Sequence, residues 1–188
     1  MTALAPTLST RYFPNTSIWL RDILLVLAGS WLVALFAQIE IPLQPVPITG
    51  QTFAVLLVGA LLGSKRGAAA MTAYITQGVV GLPFFAGGAS GIGILTGASA
   101  GYLLGFVGAA YVVGWLAERG LERSVRTSIL PFLTGTLIIY FFGVVWLSNV
   151  LGSVGKAAQL GLLPFLAGDL IKLIAAALVL PAAWKFVR

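Results

Sequence analysis

The sequence predicts an all-α integral membrane protein, a bundle of six transmembrane helices with both termini cytoplasmic. Three observations lead there. Of 188 residues, 59% are apolar and only 9% are charged, whereas a soluble domain carries about 25% charged residues. No Asp, Glu, Lys or Arg occurs between Gly67 and Ala117. The remaining charges separate apolar stretches, so residues 1–188 read as one transmembrane domain in a lipid bilayer.

The spans follow in order. Residues 1–18 are polar, contain Pro6 and Pro14, and read as a short cytoplasmic lead. They lack the layout of a cleaved signal peptide. Span one covers about 22–38. A segment punctuated by Pro42, Pro45 and Pro47 follows, where each proline removes a helical donor. Span two (about 51–64) and span three (about 68–80) are joined through Lys65, Arg66 and Gly67. A single helix there would bury both cations mid-membrane, at about 2.5–3.5 kcal/mol each. Each is short against the roughly 20 residues a crossing needs, which places both inside the bundle. After a Gly-rich loop (81–91), span four covers about 92–117, span five about 128–150 and span six about 162–184.

Basic residues set the orientation. A cytoplasmic N-terminus puts Arg11, Arg21, Lys65, Arg66, Arg119, Arg123, Arg126, Lys185 and Arg188 inside and only Lys156 outside. That is a strong positive-inside bias. The net charge of +6 therefore reports topology, with no nucleic-acid partner implied. No repeat divides the spans into matching halves.

Composition also removes chemistry. Without Cys or His there is no thiol nucleophile, imidazole base or usual zinc set. No metal site or cofactor is expected. Gly91 to Gly97 reads GxGxxxG, one residue too long for a dinucleotide fingerprint, and Gly59 to Lys65 lacks the Gly-Lys-Ser/Thr order of a Walker A loop. The chain is not expected to be an enzyme or to hydrolyse ATP.

Two charges lie well inside a span: Asp169 and Lys172. Their i,i+3 spacing puts them on one helical face. With the helix entering from outside at about Leu162, Asp169 lies roughly 10 Å deep at 1.5 Å per residue. An ionisable pair there is a site candidate; a self-neutralising structural pair is the alternative. Together they offer acceptors and donors to a small polar headgroup. Thr49, Gln51 and Thr52, beside the Pro-rich loop, fall on the same outer side and either close over that site or cap a helix. Gly97, Gly101, Gly105 and Ala109 recur every fourth residue, the pattern of close helix packing or of a wall leaving room for a ligand. Ser30 and Ala34 make a shorter version compatible with docking a partner helix.

These motifs resemble the BioY family, the biotin-specific S components of energy-coupling factor (ECF) transporters. The resemblance rests on Pro45 to Val55 (PVPITGQTFAV), Gly81 to Gly88 (GLPFFAGG) and the GYLxGF ending of Gly91 to Phe106. The Asp-x-x-Lys of span six fits it. Many members have GPTGGY where this chain has GASAGY, Gly97 to Tyr102, and the AxxxA-type motif of the first helix appears here as Ser30 and Ala34.

The resemblance implies a six-helix protein of the prokaryotic cytoplasmic membrane that captures biotin from outside. Its partners would be a transmembrane coupling (T) protein and two ABC ATPases, and the family is thought to topple in the membrane to release substrate. Asp169 and Lys172 would be the main biotin-binding pair, with Thr49, Gln51, Gly97, Gly101 and Tyr102 around them. Ser30 and Ala34 would dock the coupling protein. The rival readings are a self-sufficient proton- or Na⁺-coupled transporter working through Asp169, or a membrane structural subunit.

Overall fold

The computed structural model describes residues 3–12 and 14–185. The chain forms α1 (Leu4–Tyr12), α2 (Ile18–Ala37), a hairpin of β1 (Glu40–Ile41) and β2 (Ile48–Thr49), α3 (Gln51–Leu62), α4 (Ser64–Val79), α5 (Ala100–Ala117), α6 (Val125–Leu151), α7 (Val154–Gly161) and α8 (Leu163–Lys185). Helices α2, α5, α6 and α8 are long and apolar enough to cross a membrane. The shorter α3 is buried along most of its length, because α2, α4, α5 and α8 all pack on it. Large side chains such as Trp31, Leu35, Leu137, Phe141, Ile171 and Leu178 face outward, as suits a lipid-facing surface.

The structure moves several boundaries. The lead contains helix α1, because Pro6 sits in its first turn, where no intrahelical donor is needed. The Pro6 carbonyl instead accepts the Ser9 and Thr10 hydroxyls at 3.0 and 2.8 Å. The joint between α3 and α4 is Gly63 at φ +84°, not the Lys65–Gly67 stretch. Both cations lie in the first turn of α4. Gly63 turns the chain where the α5 backbone presses closest, at Gly114. The Glu118 carboxylate then accepts the Ser64 N–H at 2.8 Å and the Ser64 hydroxyl at 3.1 Å, a cap supplied by the far end of α5.

Span four also starts late. Residues Ile92–Thr96 form a 3-10 turn, and α5 begins only at Ala100. The stretch read as a loop at 152–161 contains α7, whose N-terminus is capped by the Ser153 hydroxyl.

Contacts gather the positive charge at one end of the bundle. Arg66 pairs with Asp22 at 2.7 Å, Glu118 caps α4, and the Arg123 guanidinium stacks 4.4 Å over the Trp184 ring. Arg21, Lys65, Arg66, Arg119, Arg123, Arg126 and Lys185 thus share that end, and Lys156 on α7 lies at the other. Arg188 and the side chain of Arg11 fall outside the described residues.

Candidate functional site

The end opposite the basic one holds a cavity of about 210 Å³. Its rim is the β-hairpin, where Glu40 pairs with Thr49 and Ile41 with Ile48, so that Val46, Pro47 and Thr49 face inward. The loop after α4 adds Phe85, Ala86 and Ala89; α5 adds Tyr102, Leu103 and Phe106; α6 adds Ile139 and Tyr140; α8 adds Phe165 and Lys172. Most of the wall is apolar, with polar atoms concentrated where α3, α6 and α8 meet.

At that meeting Lys172 Nζ donates to Asp169 Oδ1 at 2.7 Å, to the Thr49 carbonyl at 2.7 Å and to Thr52 Oγ1 at 3.0 Å. Thr52 Oγ1 in turn donates to Asp169 Oδ1 at 3.1 Å, and Tyr140 Oη donates to Asp169 Oδ2 at 2.6 Å. Asp169 is only 6% exposed, and a buried carboxylate is tolerated only when paired and hydrogen-bonded. Two hydroxyl donors and an ammonium meet that requirement. Lys172 lines the cavity, whereas Asp169 lies behind it and fixes the Lys172, Thr52 and Tyr140 side chains.

A second chain of hydrogen bonds fixes the rim. Thr49 Oγ1 donates to Gln51 Oε1 at 2.9 Å, Gln51 Nε2 donates to the Tyr74 hydroxyl, and Tyr74 Oη donates to the Phe84 carbonyl at 3.2 Å. The hairpin, α3, α4 and the Gly-rich loop are therefore tied together beside the cavity. Gln38 Nε2, from the end of α2, holds the same loop at the Phe85 carbonyl. Tyr102 donates to the Gly161 carbonyl at 2.7 Å and stacks on Phe165, positioning two aromatic walls.

Of the residues singled out from sequence, Asp169, Lys172, Thr49, Gln51 and Tyr102 converge here. Gly97 and Gly101 do not line the cavity. A Cβ on Gly101 would overlap Trp146 and the Phe142 carbonyl, and one on Gly105 would lie 3.1 Å from Ile139 Cα. The small-residue face lets α6 approach, so at Gly101 and Gly105 it serves close helix packing, the first of its two readings. Gly97 ends the preceding turn, and its carbonyl accepts the Trp146 indole N–H at 2.9 Å.

Ser30 and Ala34 are also placed inward. Ser30 is 0% exposed and accepts Gln77 Nε2 at 3.1 Å, so this face docks α4 rather than an outside helix. Thr52, read with Thr49 and Gln51 at the start of span two, joins the same network. Tyr140 was missed: it stands among Ile138, Ile139, Phe141 and Phe142 with nothing local to mark it.

Comparison with known proteins follows the same lines. A profile of the BioY family matches residues 7–188. The chain belongs to the BioY family. It is similar to the biotin transporter BioY of Thermotoga maritima, with 40% identity over 155 residues, covering 82% of this chain and 86% of that protein. The biotin transporter BioY of Rhizobium etli is 35% identical over 165 residues, covering 79% and 88%. Among solved structures, the S-component for biotin from an ECF-type ABC transporter superposes with a TM-score of 0.77 at 25% identity, covering 89% of this chain and 92% of that one.

Proposed function

We propose that this chain is the biotin-binding S component of an ECF-type ABC transporter. The observation that carries the reading is the cavity itself, an apolar pocket with Lys172 and three hydroxyls at one side, in a BioY-family chain. Biotin has a cyclic urea with two N–H donors and a carbonyl acceptor, a thioether ring, an aliphatic tail and a carboxylate. Phe85, Phe106, Ile139 and Phe165 suit the ring and tail. Lys172, Thr49, Thr52 and Tyr140 supply the polar contacts, with Asp169 holding Lys172, Thr52 and Tyr140 in place and Gln51 holding Thr49.

The energy for uptake comes from partners in this reading: a T protein and two ABC ATPases. The six helices α2 to α6 and α8 cross the cytoplasmic membrane with both termini inside, and the gathering of basic side chains at one end supports that orientation. The cavity then opens outward, where biotin arrives. Proton or Na⁺ coupling through Asp169 is disfavoured, because both carboxylate oxygens are already engaged by protein donors.

Titrating the purified protein with biotin tests the reading. Saturable one-to-one binding is expected, with biotin preferred over other vitamins. Folded protein that does not bind biotin overturns it. Uptake in vesicles carrying the partner subunits should require ATP and survive collapse of the ion gradients.

A further inference from the structure

A second depression lies at the basic end, between the first turns of α2 and of α4, with a volume of about 360 Å³. It does not depend on what the main cavity binds. Its mouth carries Lys65, Arg66 and Asp22, and its walls are Trp19, Ile23, Val26, Leu27 and Ala69. Arg66 and Asp22 satisfy each other through two hydrogen bonds, at 2.7 and 3.2 Å. Lys65 is exposed and makes no ion pair among the described residues. The mouth therefore keeps one uncompensated positive charge.

Polarity is graded along the groove. The charged groups stand at the helix ends, and Val26 and Leu27 lie one turn further in, about 6 Å along the axis at 1.5 Å per residue. Trp19, 79% exposed, flanks the mouth with the amphipathic ring favoured at a bilayer interface. Inorganic phosphate would leave the apolar walls bare, and a neutral amphiphile would leave Lys65 unanswered. An amphiphile with an anionic head and a hydrocarbon tail satisfies both.

We infer that this groove binds an anionic phospholipid, with its phosphate at Lys65 and an acyl chain along Ile23, Val26, Leu27 and Ala69. The Asp22–Arg66 pair acts as the floor of the headgroup site. The bound lipid joins α2 to α4 at the level of the membrane surface.

The test uses full-length protein reconstituted in phosphatidylcholine vesicles doped with acyl-chain-brominated phosphatidylglycerol or brominated phosphatidylcholine. Tryptophan quenching is compared with that of Trp19→Phe, to isolate the groove signal. Trp19 quenching should favour phosphatidylglycerol by about fivefold, the order expected for one basic residue at a membrane surface. Lys65→Glu should abolish that preference while leaving biotin binding intact, which shows that the variant is folded. Equal quenching by the two lipids, or an unchanged preference in Lys65→Glu, overturns the inference. So does displacement of the brominated lipid by inorganic phosphate alone, or Trp19 emission that follows protein concentration instead of lipid, which would give the groove to a second copy of the chain.

Discussion

The Tyr140 hydroxyl donates to Asp169 Oδ2 across 2.6 Å, tying the middle of α6 to α8 at the cavity. Hydrogen bonds to a buried charge contribute about 1.5–3 kcal/mol. Tyr140→Phe keeps the ring and removes this donor alone. It should lower thermal stability and weaken biotin binding about fivefold or more, because Asp169 and Lys172 lose a fixed reference. Calorimetric titration beside a melting curve checks both; unchanged affinity and melting would leave the bond without a role.

Asp169→Asn and Lys172→Met should each weaken biotin binding by at least tenfold, or about 1.4 kcal/mol. Removing Lys172 alone also strands a buried carboxylate, which destabilises the fold, whereas replacing both members of a buried pair is close to neutral. The double variant Asp169→Asn/Lys172→Met should therefore melt near the wild type yet fail to bind. Recovery of binding together with stability would make the pair purely structural.

Gly101 and Gly97 should respond differently to alanine. At Gly101 the new methyl overlaps Trp146 and the Phe142 carbonyl, and such overpacking costs about 1–3 kcal/mol. At Gly97 the nearest atom is the Ile94 carbonyl oxygen at 3.4 Å, with φ at −79°, so Gly97→Ala should stay within about 1 kcal/mol of wild type. Melting temperatures in one detergent decide between them.

Glu122, in the connection between α5 and α6, is 0% exposed, and neither carboxylate oxygen finds a hydrogen-bond partner among the described residues. Burial pushes its pKa up, and the local backbone, the Arg123 charge and the Trp184 indole only partly oppose this. A carboxyl whose folded pKa is raised contributes stability that is fully present below its unfolded value. That contribution is lost as pH rises through the folded value. Glu122→Gln should remove this loss, so the variant should gain on the wild type as pH increases above the ordinary carboxylate range. Parallel melting curves for the two proteins across pH would refute it.

Much of the site was legible because it lies along single segments. Asp169 and Lys172 are one turn apart on a helix, and Thr49 and Gln51 flank the start of another, so spacing alone brought each pair together. The small-residue faces were legible as packing surfaces but not as to their partner. Ser30 and Ala34 could turn outward to a docking helix or inward to α4, and an α2 that is apolar all round carries no azimuthal signal to choose. Gly97 to Ala109 had the same ambiguity, settled by the bulk of Trp146 and Ile139 on α6.

By itself the sequence determined the membrane environment, the basic bias of one end and the charged pair inside the last helix. Each follows from the cost of placing charge in hydrocarbon, a property of residues one at a time. Only the tertiary structure decided that Asp169 stands behind Lys172, held by Thr52 and Tyr140, and that Glu118 caps α4. Those are contacts between helices far apart in the chain, set by how side chains fill the space between them rather than by any local preference.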